Sequence, residues 1–514
     1  MKLLLHCLTL ILALLAVCPA ATAEARRYTA LEADALSSRF TALTLAPTLK
    51  AIGYDAPVMT QRLGADPWAL VDGDRVYLYM TADVVERGAD GAAKQNSYSK
   101  INRLNVVSSS DLINWTDHGS IAAAGYTGAA KWGGNSWAPA VAAKEIDGRK
   151  QYFVYFANGG NGIGVLRGDS PTGPFTDPLG HALVSRATPG CADVTWLFDP
   201  AVLVDEDGSA YLYFGGGIPS GREADPGTAR VVRLGDDMIS LVGDPQPLAV
   251  PYLFEDSGIN RIGDTYYYSY CTNWSVSPDA RRSYGFDSAQ IVYMTSSSPM
   301  GPFTPGGVVL KNPGSYYGCY GNNHHCIFSF RGEWYIAYHT QLLEKPMGIS
   351  GGYRATSVSR ITVREDGSIP TLQVIRRDSL PQAGCFDPYT TVSAATMATM
   401  GGVTTVPAEE GVFCGDMVLS GIHDGSWVAL RGVDFGAGAS SFTATIRTRA
   451  CAGAIQLRLD SLSGDIIGYL DWDGSCEGTQ TLTACLTGAA EGVHDLVMVF
   501  AGEGYQAESW RFTE

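Results

Sequence analysis

Positive charge is scarce in this 514-residue chain: 36 Lys and Arg stand against 52 Asp and Glu, a net charge of −16. That balance excludes the basic footprint of a nucleic-acid binder and makes an anionic membrane surface a poor partner. Long apolar runs are missing after the first 17 residues, so no membrane span is expected in the body of the chain. No CxxC pair occurs, which removes the usual zinc sites. No polar low-complexity tract interrupts a globular composition of 46% hydrophobic and 17% charged residues.

What is abundant is glycine (60), proline (25) and tyrosine (26), the composition of many short strands joined by tight turns. Lys2, the apolar stretch Leu3 to Val17 and the small-x-small Ala21-Thr22-Ala23 read as a signal peptide over 1–23. The mature protein is then expected to be secreted or periplasmic. Lipidation at Cys18 is the alternative, with Val17 bulky for the position before a lipidated cysteine. Cleavage leaves nine cysteines, five of them beyond residue 384, where a disulfide is expected first.

One pattern repeats five times: a polar residue near Pro or Ser, an apolar stretch, a Gly turn, then an aromatic strand. It begins at Ala65, Trp137, Phe198, Phe254 and Asn323, and each copy reads as a β-hairpin. The closing tyrosines Tyr79, Tyr155, Tyr213, Tyr270 and Tyr338 follow at intervals of 76, 58, 57 and 68 residues, the length of a four-stranded propeller blade. SPTGPFTDP from Ser170 returns as SPMGPFTPG from Ser298, two blades later. The fold class expected is all-β: a five-bladed β-propeller over 50–375, then a β-sandwich over 385–514 with a different strand and turn spacing.

Equivalent inner-strand positions of a propeller converge at one mouth of its channel. In four of the five copies the slot 13 to 15 residues before the closing tyrosine holds Asp66, Asp199, Glu255 and His325, and the second copy offers Asn135 and Trp137 slightly further back. A single Asp before Pro often only caps a turn. Two Asp and a Glu in register are better explained by chemistry, because buried carboxylates without partners are costly. Glycoside hydrolysis needs one carboxylic acid and one carboxylate, and a third carboxylate nearby keeps the acid protonated. Trp68, Trp132, Trp137, Trp196 and Phe198 are candidates to stack on sugar rings, and each could equally be core. A non-catalytic sugar-binding propeller would be expected to have lost a carboxylate. A retaining fructan-type propeller would use the first Asp as nucleophile.

The phrases GADPWALVDGDRVYLYMTAD, AAKWGGNSWAPAV, TWLFDPAVLVDEDG, FEDSGINRIGDTYYYSYCTN and GNNHHCIFSFRGEWYIAYH resemble glycoside hydrolase family 43, most of all its arabinoxylan arabinofuranohydrolases. The resemblance implies an inverting, secreted enzyme that removes α-L-arabinofuranosyl branches from plant cell-wall polysaccharide, with β-xylosidase and arabinanase activity as alternatives. It implies Asp66 as general base, Glu255 as general acid and Asp199 as the residue that orients the acid and raises its pKa. Asn135, Trp137 and Phe198, beside the repeated slot, are candidates to contact sugar, and the resemblance adds Asn322, His325 and Arg354. One calcium ion in the propeller channel is implied, reached by His325 through water and not required for the chemistry. The C-terminal part resembles a family 6 carbohydrate-binding module that has departed from the pattern: it opens SAATMATMGG without acidic residues, and EGTQTLTA from Glu477 stands where a loop tryptophan is usual.

Overall fold

The computed structural model describes residues 24–514, so the expected signal peptide and Cys18 lie outside the described residues. Five antiparallel sheets follow one another along the chain. Their inner strands are Ala65–Asp72, Trp137–Ile146, Ala201–Val204, Leu253–Ile262 and His325–Phe330. Each inner strand packs against the next and the fifth closes on the first, so the sheets are the blades of a propeller. The first four have at least four strands and the last has three.

The repeated tyrosines explain how neighbouring blades hold together. Tyr79, Tyr155, Tyr213, Tyr270 and Tyr338 are all fully buried. The Tyr79 hydroxyl donates to the carbonyl of Pro171 in the second blade, at 2.6 Å. Tyr155 donates to Met238 of the third, at 2.6 Å, and Tyr213 to Pro299 of the fourth, at 2.5 Å. Pro171 and Pro299 belong to the two SPxGPF segments, so the two sequence markers meet as donor and acceptor across a blade boundary. Each such bond satisfies a polar group that would otherwise cost about 1–3 kcal/mol to bury.

Residues after 390 form two packed sheets of a β-sandwich. Phe442, Trp510 and Phe512 lie in its core. The segment Glu477–Cys485 is an edge strand paired along its length with Ser441–Arg449, so the expected binding loop there is not a loop. The N-terminal segment also belongs to this domain. Thr29 and Glu32 form a reciprocal capping box for helix Ala30–Thr41, and Phe40 is buried beside Trp427 and Tyr469 of the sandwich. Cys385, Cys414, Cys451 and Cys485 are free thiols, which corrects the expectation of a disulfide in this region. No helix among the described residues is long and apolar enough to cross a membrane.

The sandwich is fixed to the first blade. Thr396–Met397 pairs with Thr116 and Trp115 and extends that blade's sheet by one strand. Beside it, Asp117 is buried and accepts hydrogen bonds from Gln61 Nε2 at 2.9 Å, Thr405 Oγ1 at 2.5 Å, the Gly119 N–H at 2.7 Å and the guanidinium of Arg62. Burial pushes the Asp117 carboxyl up, but Arg62 and these donors outweigh it and hold the group low. Its folded pKa is depressed, so its contribution is present above the ordinary carboxylate range and is lost as pH falls below that range and through the lowered folded value. Removing one partner of a buried ion pair typically costs about 3–5 kcal/mol. We expect Asp117→Ala to lower the unfolding free energy by that order at pH 7, read as a lower urea midpoint, with kcat unchanged where the protein stays folded; an unshifted midpoint would contradict this anchoring role.

Candidate active site

Four inner strands carry the same distortion where they meet the channel mouth. Asp66, Ala138, Asp199 and Asp256 all have positive φ, at 47°, 41°, 48° and 73°. The first three precede proline, which itself disfavours helical backbone. Register shifts in the first, second and fourth blades mark bulges at these points. A bulge bends the strand and re-aims its side chains, and strain of this kind collects at functional sites. Ala138 gives the second blade no carboxylate at this position, and the preceding Trp137 faces the pocket instead.

The resulting cavity, about 360 Å³, is lined by residues of all five blades: Asp66, Trp137, Phe198, Asp199, Glu255, Asn322 and His324 among them, with Arg354 and Tyr98 from connecting segments. The three expected carboxylates therefore come together, and Trp137, Phe198, Asn322 and Arg354 join them. Trp196 also lines the cavity, edge-on to Phe198 at 5.2 Å.

Other expected residues are elsewhere. Asn135 stands behind Trp137, its Nδ2 donating to the carbonyls of Ser99 and Ile101, both at 3.1 Å, so it holds the Tyr98 segment rather than sugar. Trp68 is buried with its indole N–H on Val141, and Trp132 stacks on Phe156; neither lines the cavity. His325 lies one layer below. Its Nδ1 meets Asp256 Oδ2 at 2.5 Å and its Nε2 meets Ser269 Oγ at 2.7 Å. The cavity floor is His324, one residue earlier, whose side chain takes the opposite face of the strand's start.

With both ring nitrogens of His325 engaged, no lone pair is left for a cation or its water. Among the described residues no three His, Cys, Asp or Glu side chains gather as a metal site would require. His325 as placed therefore offers no ring nitrogen to the implied calcium ion or to a water on it.

Arg354 is the one strong cation inside the pocket. Its Nη1 donates to Asp66 Oδ1 at 2.7 Å; its Nε and Nη2 donate to the two oxygens of Asp83 at 3.0 and 2.7 Å. Asp83 itself is beyond what the repeat could reveal, because it follows the second strand of its blade and occupies no repeated slot. Burial pushes the Asp66 carboxyl up, yet Arg354, His324 and His339 outweigh it and hold the group far below the usual carboxylate range. Burial also keeps His324 below its ordinary range, so near neutrality it is uncharged and Arg354 carries this effect.

Glu255 and Asp199 behave oppositely. Burial, followed by the charges of the neighbouring carboxylates, raises both well above the usual range. They are coupled and cannot both be ionised readily. Asp199 Oδ2 accepts the Asp256 N–H at 3.0 Å, which favours its anion, whereas Glu255 Oε1 is buried without a partner. Of the pair, Glu255 therefore holds a proton more readily than Asp199. The pocket holds one carboxylate kept ionised and one carboxylic acid kept neutral, with apolar walls around them.

Residues 54–369 match the family model for glycosyl hydrolases family 43, and residues 393–514 match that for carbohydrate binding module family 6. The chain belongs to glycoside hydrolase family 43. It is 46% identical over 91% of its length, and 75% of the relative's, to an arabinoxylan arabinofuranohydrolase of Paenibacillus polymyxa. It is 43% identical to one from Bacillus subtilis, over 92% of this chain and 95% of that one. A crystal structure of the family 43 arabinoxylan arabinofuranohydrolase from Bacillus subtilis, in complex with cellotetraose, superposes with a TM-score of 0.85 at 43% identity, covering 91% of this chain and 99% of that one.

The electrostatics give a pair of pH predictions. Asp199→Asn removes a negative neighbour of Glu255, so the acid loses its proton sooner and the basic limb of kcat/KM moves to lower pH. Arg354→Ala frees the Asp66 carboxyl to take a proton sooner, so the acidic limb moves to higher pH. Rate profiles across pH for both variants check this; limbs that stay in place would leave Asp199 and Arg354 with steric roles only.

Proposed function

We propose that this hydrolase removes α-L-arabinofuranosyl branches from arabinoxylan by inversion. The observation that carries the mechanism is the opposite protonation of two carboxyls in one pocket: Asp66 ionised against Arg354, Glu255 neutral and without a protein hydrogen bond at Oε1. In this reading Asp66 draws a proton from water as the water attacks the anomeric carbon. Glu255 protonates the departing glycosidic oxygen, and Asp199 keeps the acid protonated and oriented. Trp137, Trp196 and Phe198 would cover the apolar face of the sugar. The substrate follows the two arabinoxylan arabinofuranohydrolases to which the chain is similar along nine-tenths of its length. The export reading of residues 1–23 belongs to the same proposal, since a polymeric substrate is met outside the cell.

Hydrolysis of aryl arabinofuranoside in preference to aryl xyloside, with arabinose as the sugar released from arabinoxylan, tests the substrate. Glu255→Gln and Asp66→Asn should each lose about a hundred- to ten-thousandfold on the polymer. An activated aryl leaving group needs little protonation, so Glu255→Gln should recover part of its rate there and Asp66→Asn should not. Equal losses on both substrates would undo the assignment of Glu255 as acid. Proton NMR in the first minutes of hydrolysis should show β-arabinose first; an initial α anomer would make Asp66 a nucleophile.

A further inference from the structure

The pocket is closed below by His324, which stands 3.1 Å from Asp256 above His325. At about 360 Å³ it is at the small end for a ligand cavity and suits a terminal sugar entering from the rim. Whatever that sugar is attached to must lie across the rim.

Between the fourth and fifth blades the rim is built from two segments, 273–290 and 311–324, that are bonded to each other. The side-chain amides of Asn312 and Asn323 both donate to the carbonyl of Ala289, at 3.4 and 3.1 Å. The Ala289 N–H donates in turn to the carbonyl of Asn273 at 3.2 Å. Asn312 also holds its own segment, donating to Gly321 at 2.8 Å and accepting from the Gly314 N–H at 3.0 Å.

On this braced rim stands Tyr320, two residues before Asn322 of the pocket and 66% exposed. Its ring lies against Gly314, where a Cβ would fall among the ring atoms, so only glycine allows the ring to rest there. One side of the ring is supported by backbone while most of its surface meets solvent, and its hydroxyl bonds no protein group. A ring held open at the rim of a cleft presents an apolar face and a polar edge to a ligand lying across it. Lys311 is the only formally charged residue in 311–324, so the platform offers nothing to an ionic partner. A second aromatic, Trp274, is 47% exposed on the adjoining segment.

We propose that Tyr320 is the stacking platform for the main chain of a neutral polysaccharide whose branch sugar occupies the pocket. The proposal rests on the function proposed above and extends it to a subsite outside the cavity. The ring supplies an apolar face and a polar edge, which match the apolar face and the hydroxyls of a pyranose unit. Stacking of this size should change polymer kinetics by about three- to tenfold.

The test compares Tyr320→Ala, Tyr320→Phe and the wild type on arabinoxylan and on aryl arabinofuranoside, which fills only the pocket. Tyr320→Ala should lower kcat/KM on the polymer through KM and leave the aryl substrate unchanged, while Tyr320→Phe keeps the ring and most of the polymer activity. Unchanged polymer kinetics for Tyr320→Ala, or equal losses on both substrates, would overturn the inference. A wild type that releases arabinose from neither substrate would sink the proposed function and this inference with it; an active wild type with an insensitive Tyr320→Ala sinks the inference alone.

Discussion

Arg354 places a single buried guanidinium among five buried carboxyl groups: Asp66, Asp83, Asp199, Glu255 and Asp256. One cation cannot support five anions in a medium that solvates charge poorly, so the protons must be distributed unequally. The fork geometry decides the distribution. Arginine gives two donors to Asp83 and a third to Asp66, and Asp66 is held ionised. Asp256 lies between His324 and His325. Glu255 is left beside Asp199 with no donor at Oε1, and it is the group for which neutrality costs least. The division into base and acid thus follows from where one side chain points.

That division would be impossible on regular strands. A pleated strand sends successive side chains to opposite faces, and a blade's inner strand would place its carboxylates between blades as readily as on the axis. The left-handed residues at Asp66, Asp199 and Asp256 turn the chain just as it enters the sheet and aim polar groups into the channel. Backbone strain of this kind costs about 1–3 kcal/mol per residue and persists only in a rigid surround. The surround here is the ring of blades, with buried tyrosine hydroxyls crossing three successive blade boundaries, and the sandwich fastened to the first blade through Asp117 and the strand Thr396–Met397.

The blade order and the three carboxylates were legible in the sequence because a repeat makes equivalent positions visible: Asp66, Asp199 and Glu255 occupy one slot in three copies. Phe198 was reached as an aromatic beside the slot, Arg354 and Asn322 through motif resemblance, and the structure places all three in the same cavity. The slot reading erred by one residue at His325, since the two adjacent histidines where the chain enters the strand face opposite ways and spacing alone does not say which. Asn135 and Trp132 were misplaced for a related reason: both lie in the loop 123–136, where no strand period constrains direction. Asp83, Asp256, His339 and Tyr98 were missed. Asp83 and Tyr98 come from the long connection after Thr81, outside any repeat, and only the folded chain brings them to Arg354. The edge strand Glu477–Cys485 reads as loop-like because polar threonines alternate along it, a pattern that a half-exposed edge strand shares.

The central claim is the unequal ionisation of Asp66 and Glu255, and direct titration of the carboxyl groups reaches it without passing through catalysis. Carbon-13 NMR of selectively labelled enzyme, with Asp66→Asn and Glu255→Gln used to assign the two resonances, would follow each carboxyl across pH. The account predicts that Asp66 stays ionised to the acid limit of the folded protein while Glu255 still carries its proton near neutrality. Two carboxyls titrating together in the ordinary range around pH 4 would contradict it.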